Sequence, residues 1–143
     1  MKREILFRAQ RIDNGKWIEG QFYHSQLFID GKNCNDVYLI RNDIDEDYFI
    51  KENTVCQFTG LTDKKGTKAF YKDLIKAPSG RIYAIIWATW IHDEKRNKFL
   101  TDRYEFTGWC ISKDGINPCD LLDSEVMSGE IIGNLIDSPE LLK

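Results

Sequence analysis

At 143 residues, with 42% hydrophobic and 30% charged side chains, the chain has the length of one ordinary domain and a globular composition, which excludes a disordered or fibrous protein. Its net charge of −3 and pI near 5.4 argue against a protein that coats nucleic acid without preference, because that affinity comes from neutralising phosphates. Aromatic residues at 13% favour pleated surfaces over slender helices.

In chain order, Met1 to Tyr23 reads as a hairpin. Ile5, Phe7 and Ala9 alternate with charged residues, Asn14-Gly15 signals a type I′ turn, and Trp17 to Phe22 returns. Arg3, Arg8 and Arg11 fall on its polar side, where they are placed to meet phosphate, carboxylate or simply water. Ser25 to Asn53 continues in the same style, with Leu27-Phe28-Ile29, a turn at Asp30-Gly31 and the run Val37 to Ile40. The acidic run from Asp43 to Asp47 resembles the start of a calcium loop, but Tyr48 stands where the loop needs Gly and Thr54 where it needs a bidentate Glu. It reads instead as an exposed acidic loop that discourages sheet edges from pairing.

Cys56 to Trp90 organises the rest. Cys56, Phe58 and Leu61 lead into a turn over Thr62-Asp63-Lys64-Lys65-Gly66, where Asp bonds the backbone ahead and Gly takes positive φ. Phe70, Tyr71, Leu74 and Ile75 carry the chain to the turn Ala77-Pro78-Ser79-Gly80. Arg81 to Ile91 is then apolar on both faces, which predicts a strand covered on both sides or bent across a barrel corner. His92 to Asn97 reads as a polar connection, and Lys98 to Ile111 as a returning strand that ends at Lys113-Asp114-Gly115. Asn117 to Leu122 begins like a short helix, Glu125 to Leu135 reads as a last strand, and Ser138 to Leu142 as a closing helical turn with Ser as N-cap.

Frequent turn signals without a long 3.6-residue period predict an all-β chain with one or two short helical turns. A small barrel or a sandwich built from hairpins fits, with SH3-like closure open for the C-terminal half. One domain over residues 1–143 is expected, divisible into sub-modules 1–62 and 63–143.

Gln57-Phe58-Thr59-Gly60-Leu61-Thr62-Asp63-Lys64-Lys65-Gly66, continuing to Phe70, Asp73, Leu74 and Ile75, resembles the signature of the YopX family of phage and prophage proteins. Arg3 to Ala9 agrees with it, as do Ile131 to Leu135 and Ser138 to Leu142, so the resemblance spans the chain. It implies a small, largely β protein of phage origin, with no catalytic residues to carry over. One departure stands out: Tyr71 and Lys72 replace the acidic residue and Gly that often precede the Asp, which argues against a tight backbone there.

Chemistry is sparse. His24 and His92 lie in no nucleophile signature, no Gly-rich phosphate loop is followed by Lys-Ser/Thr, and 23 acidic residues make neighbouring carboxylates commonplace. No catalytic, cofactor or metal site is expected. Cys34, Cys56, Cys110 and Cys119 have no zinc-type spacing and read as reduced thiols. No signal peptide or membrane span is visible, which places the expected site of action in the cytoplasm of a bacterial host.

Charge is uneven. Asp63 to Arg103 holds ten basic and five acidic residues, net +5, and Tyr104 to Lys143 two basic and eight acidic, net −6, so the two stretches are able to pair within or between molecules. Lys64, Lys65, Lys68, Lys72 and Arg81, interleaved with Tyr71 and Tyr83, could track single-stranded nucleic acid while rings stack on bases. The preferred expectation is an interaction protein, a homo-oligomer or a factor docking on a host or phage protein. Single-stranded nucleic-acid binding is the alternative.

Overall fold

A computed structural model describes residues 4–142, apart from the side chains of Ile29, Asn33 and Cys34; Arg3 and the Cys34 thiol therefore lie outside the described residues. Residues up to Gly60 form one compact unit and residues from Leu61 another. Both are mostly β and antiparallel, as composition and turn spacing predict.

In the first unit, β1 (Phe7–Gln10), β2 (Trp17–Ile29), β3 (Lys32–Arg41), β4 (Asp47–Phe49) and β5 (Cys56–Thr62) lie in the order β4-β3-β2-β1-β5. Inward-facing Ala9, Ile40 and Ile50 form its core, with Phe7, Ile18, Phe22, Tyr38 and Val55 packed against them. The predicted β1–β2 hairpin is present, but its loop is longer than a two-residue turn. Gln10 pairs with Trp17, the Arg11 N–H donates to the Lys16 carbonyl, and of the Asn14-Gly15 pair only Gly15 has positive φ. The two-residue turn with both positions left-handed falls instead at Asp30-Gly31, between Ile29 and Lys32. Arg8 lies 4.8 Å from the Trp17 ring centre, and Arg11 pairs with Asp13 while covering the Tyr48 ring at 4.1 Å.

The second unit contains β6 (Lys68–Phe70), β7 (Asp73–Lys76), β8 (Ile82–Lys95), β9 (Thr101–Ser112), β10 (Pro118–Leu121), the single turn α1 (Ser124–Met127) and β11 (Glu130–Asn134). Its five-stranded sheet runs β10-β9-β8-β7-β11, with β10 and β11 as open edges, so it does not close as an SH3-like barrel. Cores lie on both faces. Ile75, Ile85 and Ile111 meet Ala69, Val126 and Met127 on one side; Leu74, Ala84, Ile86 and Cys110 meet Leu121, Leu135 and Leu142 on the other.

Three expectations shift here. Asn117 to Leu122 forms no helix: Asp114 accepts from the N–H groups of Ile116 and Asn117, and Pro118 then opens edge strand β10, where a missing N–H is tolerated. The helical turn starts after Asp123, whose carboxylate accepts from the Val126 N–H at 2.9 Å. The last strand is accordingly confined to Glu130–Asn134, and the closing turn forms as 3-10 helix over Pro139–Leu142.

Lys72 keeps a tight backbone although it is not Gly. Its φ is 70°, its N–H donates to the Ile85 carbonyl at 2.8 Å, and its carbonyl accepts from the Leu135 N–H at 2.8 Å. A left-handed L-residue is strained by about 1 kcal/mol, part of which Gly returns as extra freedom of the unfolded chain. Lys72→Gly is therefore expected to raise stability by about 0.5 kcal/mol in urea unfolding; a loss of stability contradicts the strained turn.

The turn after β5 is built on Asp63, 6% exposed. Oδ1 accepts from the N–H groups of Lys65 and Thr67, both at 2.9 Å, and Oδ2 from that of Ile131 at 2.8 Å, joining residues 68 positions apart. Burial pushes the carboxyl up, but these N–H groups overcome it and hold Asp63 below the ordinary carboxylate range.

Candidate functional site

The most distinctive surface grows out of β8 and β9. Their pairing runs unbroken from Ala84↔Ser112 to Lys95↔Thr101. On the outer sides, β7 reaches only to Ala84 and β10 only to Cys110. Beyond Ile86 the sheet therefore narrows to a two-stranded ribbon, whose base still packs on the cores through Ala88 and Trp90 on one face and Trp109 on the other, so the sequence expectation of cover on both faces holds for the first part of β8 alone.

The ribbon is longer than the sequence suggests. His92 to Lys95, which reads as a connection, stays in the strand. Arg96 to Leu100 makes the tip, where the Arg96 N–H donates to the Leu100 carbonyl and Asn97 Oδ1 accepts from the N–H groups of Phe99 and Leu100. Part of the charge in the strands is paired within the ribbon: Arg103 grips Asp93 with two bonds of 2.7 and 3.0 Å, and Arg96 pairs with Asp102. The Arg103 guanidinium holds Asp93 below the usual carboxylate range. From Trp87 to Trp109 there are four basic and four acidic residues, so the ribbon carries no net charge.

Strand alternation gives it two faces. One carries Trp87, Thr89 and Ile91 opposite Trp109, Thr107 and Glu105; the Trp rings meet edge to face at 5.1 Å and the Thr hydroxyls lie 2.8 Å apart. The other carries Ala88, Trp90 and His92 opposite Gly108, Phe106 and Tyr104, with Trp90 and His92 stacked at 5.2 Å. The Phe106 ring lies over Gly108, where a Cβ would come within 2.9 Å of it. A side chain at 108 would push that ring aside. Trp87 is 55% exposed, Ile91 51%, Tyr104 53%, and Phe99 at the tip 87%.

The sequence-derived basic residues are not gathered on this ribbon. Lys64 borders a shallow hollow of about 270 Å³ with Lys76, Pro78, Gly80, Ser128 and Glu130. Lys65 is tied to Glu130 at 2.6 Å, which raises the lysine and lowers the carboxyl from their ordinary values. Lys68 opens β6, Lys72 occupies its own turn with Nζ 5.4 Å from the Tyr71 ring centre, and Arg81 ends the Ala77-Gly80 turn. Of these, Lys64 alone lines the hollow, Lys65 bonds the Glu130 carboxylate on its rim, and Lys72 belongs to a different turn.

Among the described residues, no three His, Cys, Asp or Glu side chains cluster as a metal site, and Cys56, Cys110 and Cys119 form no disulfide. His24 stacks on Tyr38 at 4.9 Å and meets Asp36 at 3.2 Å on the β2–β3 hairpin; His92 lies on the ribbon. No helix of the described residues is long and apolar enough to cross a membrane.

The family model described as YopX protein matches residues 6–143. The chain belongs to the YopX family. Among curated proteins, nothing matches it. The signature residues of this YopX-family chain are architectural: Asp63 ties the 63–67 turn to β11, and Asp73, 1% exposed, accepts from the Phe70 N–H at 2.7 Å. The ribbon lies outside the signature. Sequence reading sees its aromatic residues as further strand; the legible signal is the pairing of Asp93 with Arg103 across a turn at Asn97.

Proposed function

We propose that the protein is an interaction module that docks on another protein surface through the β8–β9 ribbon, without catalysis, in the cytoplasm of a phage-carrying bacterium. The observation that carries this reading is the run of exposed apolar side chains from Trp87 through Phe99 to Phe106 on a ribbon of zero net charge. Soluble chains rarely leave contiguous apolar surface open unless something covers it. Paired charges and cross-strand contacts make the ribbon a preorganised element, which reduces the ordering that association requires. Phosphate binding needs excess positive charge that the ribbon lacks.

A benzophenone amino acid placed at position 99 of the full chain, expressed in the bacterium, tests this. Irradiation should give a discrete protein adduct, whereas the same group at position 116, also exposed in the second unit, should give none. A nuclease-sensitive adduct would favour the basic residues Lys64, Lys65, Lys68, Lys72 and Arg81 and single-stranded nucleic acid. Equal labelling from both positions would remove the ribbon from consideration.

A further inference from the structure

We propose that the ribbon takes its partner by strand addition, an extended segment of another protein pairing along the outer edge of β8 over residues 87–92. This rests on the reading of the ribbon as a contact surface and names the kind of segment that occupies it.

Backbone direction carries the inference. In an antiparallel pair, residues alternate between bonding the opposite strand and turning both peptide groups outward. The Lys72 N–H donates to the Ile85 carbonyl, so Ile85 faces away from β9, and every second residue after it does the same: Trp87, Thr89 and Ile91. Two further bonds agree. The Leu122 N–H donates to the carbonyl of Trp109, which stands opposite Trp87, and the Arg96 N–H donates across the tip to Leu100, so the even positions of β8 face inward. β7 is the neighbour of β8 on its outer side and pairs with it only as far as Ala84, with Lys72 adding the last bond at Ile85. Among the described residues nothing bonds the outward N–H and carbonyl groups of Trp87, Thr89 and Ile91.

Sheet edges are ordinarily closed to added strands by proline, bulges or charge. The other edges of this sheet carry such guards. β10 opens on Pro118 and shifts register, and in β11, which also shifts register, Asp63 takes the Ile131 N–H. The outer edge of β9 is filled at its base by Leu122 and presents Glu105 and Arg103 further out. Residues 87–92 of β8 include no proline, glycine, carboxylate, lysine or arginine, and they pair with β9 without a shift. The occupant is therefore a strand of about six residues, uncharged in its middle, with β-branched or aromatic side chains at alternate positions beside Trp87 and Ile91. Main-chain bonds hold such a segment and the apolar row selects it.

A benzophenone amino acid at exposed position 94, just beyond this edge, tests the proposal in the full chain expressed in the bacterium. Irradiation should give a protein adduct. Thr89→Pro removes an outward N–H that no bond within the chain uses, so thermal melts should show the fold retained while the adduct falls by about tenfold or more. Thr107→Pro makes the same change directly opposite, on the β9 edge, and breaks the same contact between hydroxyls, yet should leave the adduct in place. Hydrogen exchange of the purified adduct reads the pairing without any substitution in the strand. The amides of Trp87, Thr89 and Ile91 should slow by about tenfold or more relative to the free chain, whereas those of Ala88 and Trp90, already bonded to β9, should change little. An adduct indifferent to Thr89→Pro, or one without slowing at the alternate amides, overturns strand addition and leaves the interaction reading standing. An adduct from position 99 with none from position 94 does the same. Absence of an adduct from both positions overturns the two together.

Discussion

Replacing Asp63 by alanine should destabilise the protein by about 3 kcal/mol, the largest loss expected from any single polar side chain described above. Three backbone N–H groups, of Lys65, Thr67 and Ile131, lose their common acceptor, and the carboxylate is too enclosed for water to replace it fully. A buried donor left unpaired costs roughly 1–3 kcal/mol, and a charged acceptor makes each bond stronger than a neutral one. Asp63→Asn should be milder, since one amide oxygen still accepts but the amide nitrogen cannot accept from the third N–H. The pH dependence follows from the lowered carboxyl. A group whose folded pKa lies below its unfolded value, about 3.9 for Asp, stabilises fully above that value and loses its contribution as pH falls through the folded one. Urea unfolding should therefore show wild-type stability declining below about pH 4, with a shallower decline in Asp63→Ala. Equal stability of the two proteins at neutral pH would contradict the clamp.

Ile85→Ala and Ile91→Ala, on the same strand and the same face, should behave in opposite ways. Ile85 is fully buried among Ala69, Ile75, Ile111, Val126 and Met127. Its truncation leaves a cavity in packed surroundings and should cost about 3 kcal/mol. Ile91 is 51% exposed on the ribbon, and its truncation should stay within about 0.5 kcal/mol. Midpoints of urea unfolding at low protein concentration compare the two directly. A large loss from Ile91→Ala would mean that the ribbon is covered within its own chain, and the interaction reading would fall with that result.

Turn chemistry and alternation made much of the fold legible. Asp63 to Gly66, Ala77 to Gly80 and Ser138 to Leu142 all occur where local residues predict them, because each turn closes on short-range bonds of its own: Asp63 accepts from the Lys65 N–H, the Ala77 carbonyl from the Gly80 N–H and the Ser138 carbonyl from the Leu141 N–H. The misread places are those where a distant partner decides. Pro118 to Leu121 looks like a helix start in isolation and becomes a strand because the edge of β9 is open to it. Lys72 takes a left-handed backbone that its type disfavours because Ile85 and Leu135 hold both of its peptide groups. Nor does sequence reveal how far cover extends along β8. Ile85 and Ile91 are indistinguishable by pattern, and only the places where β7 and β10 stop pairing separate core from ribbon.

Hydrogen–deuterium exchange along β8 and β9, with the protein at high dilution, most directly tests whether the ribbon is surface held open for a partner. Amides of Ala84 to Ile86 and Cys110 to Ser112 should be strongly protected, and those from Trp87 through Trp109 should exchange much faster, with the boundary where the flanking strands end. Uniform strong protection along the whole of β8 would show that the ribbon is already covered in the single chain and would contradict the account.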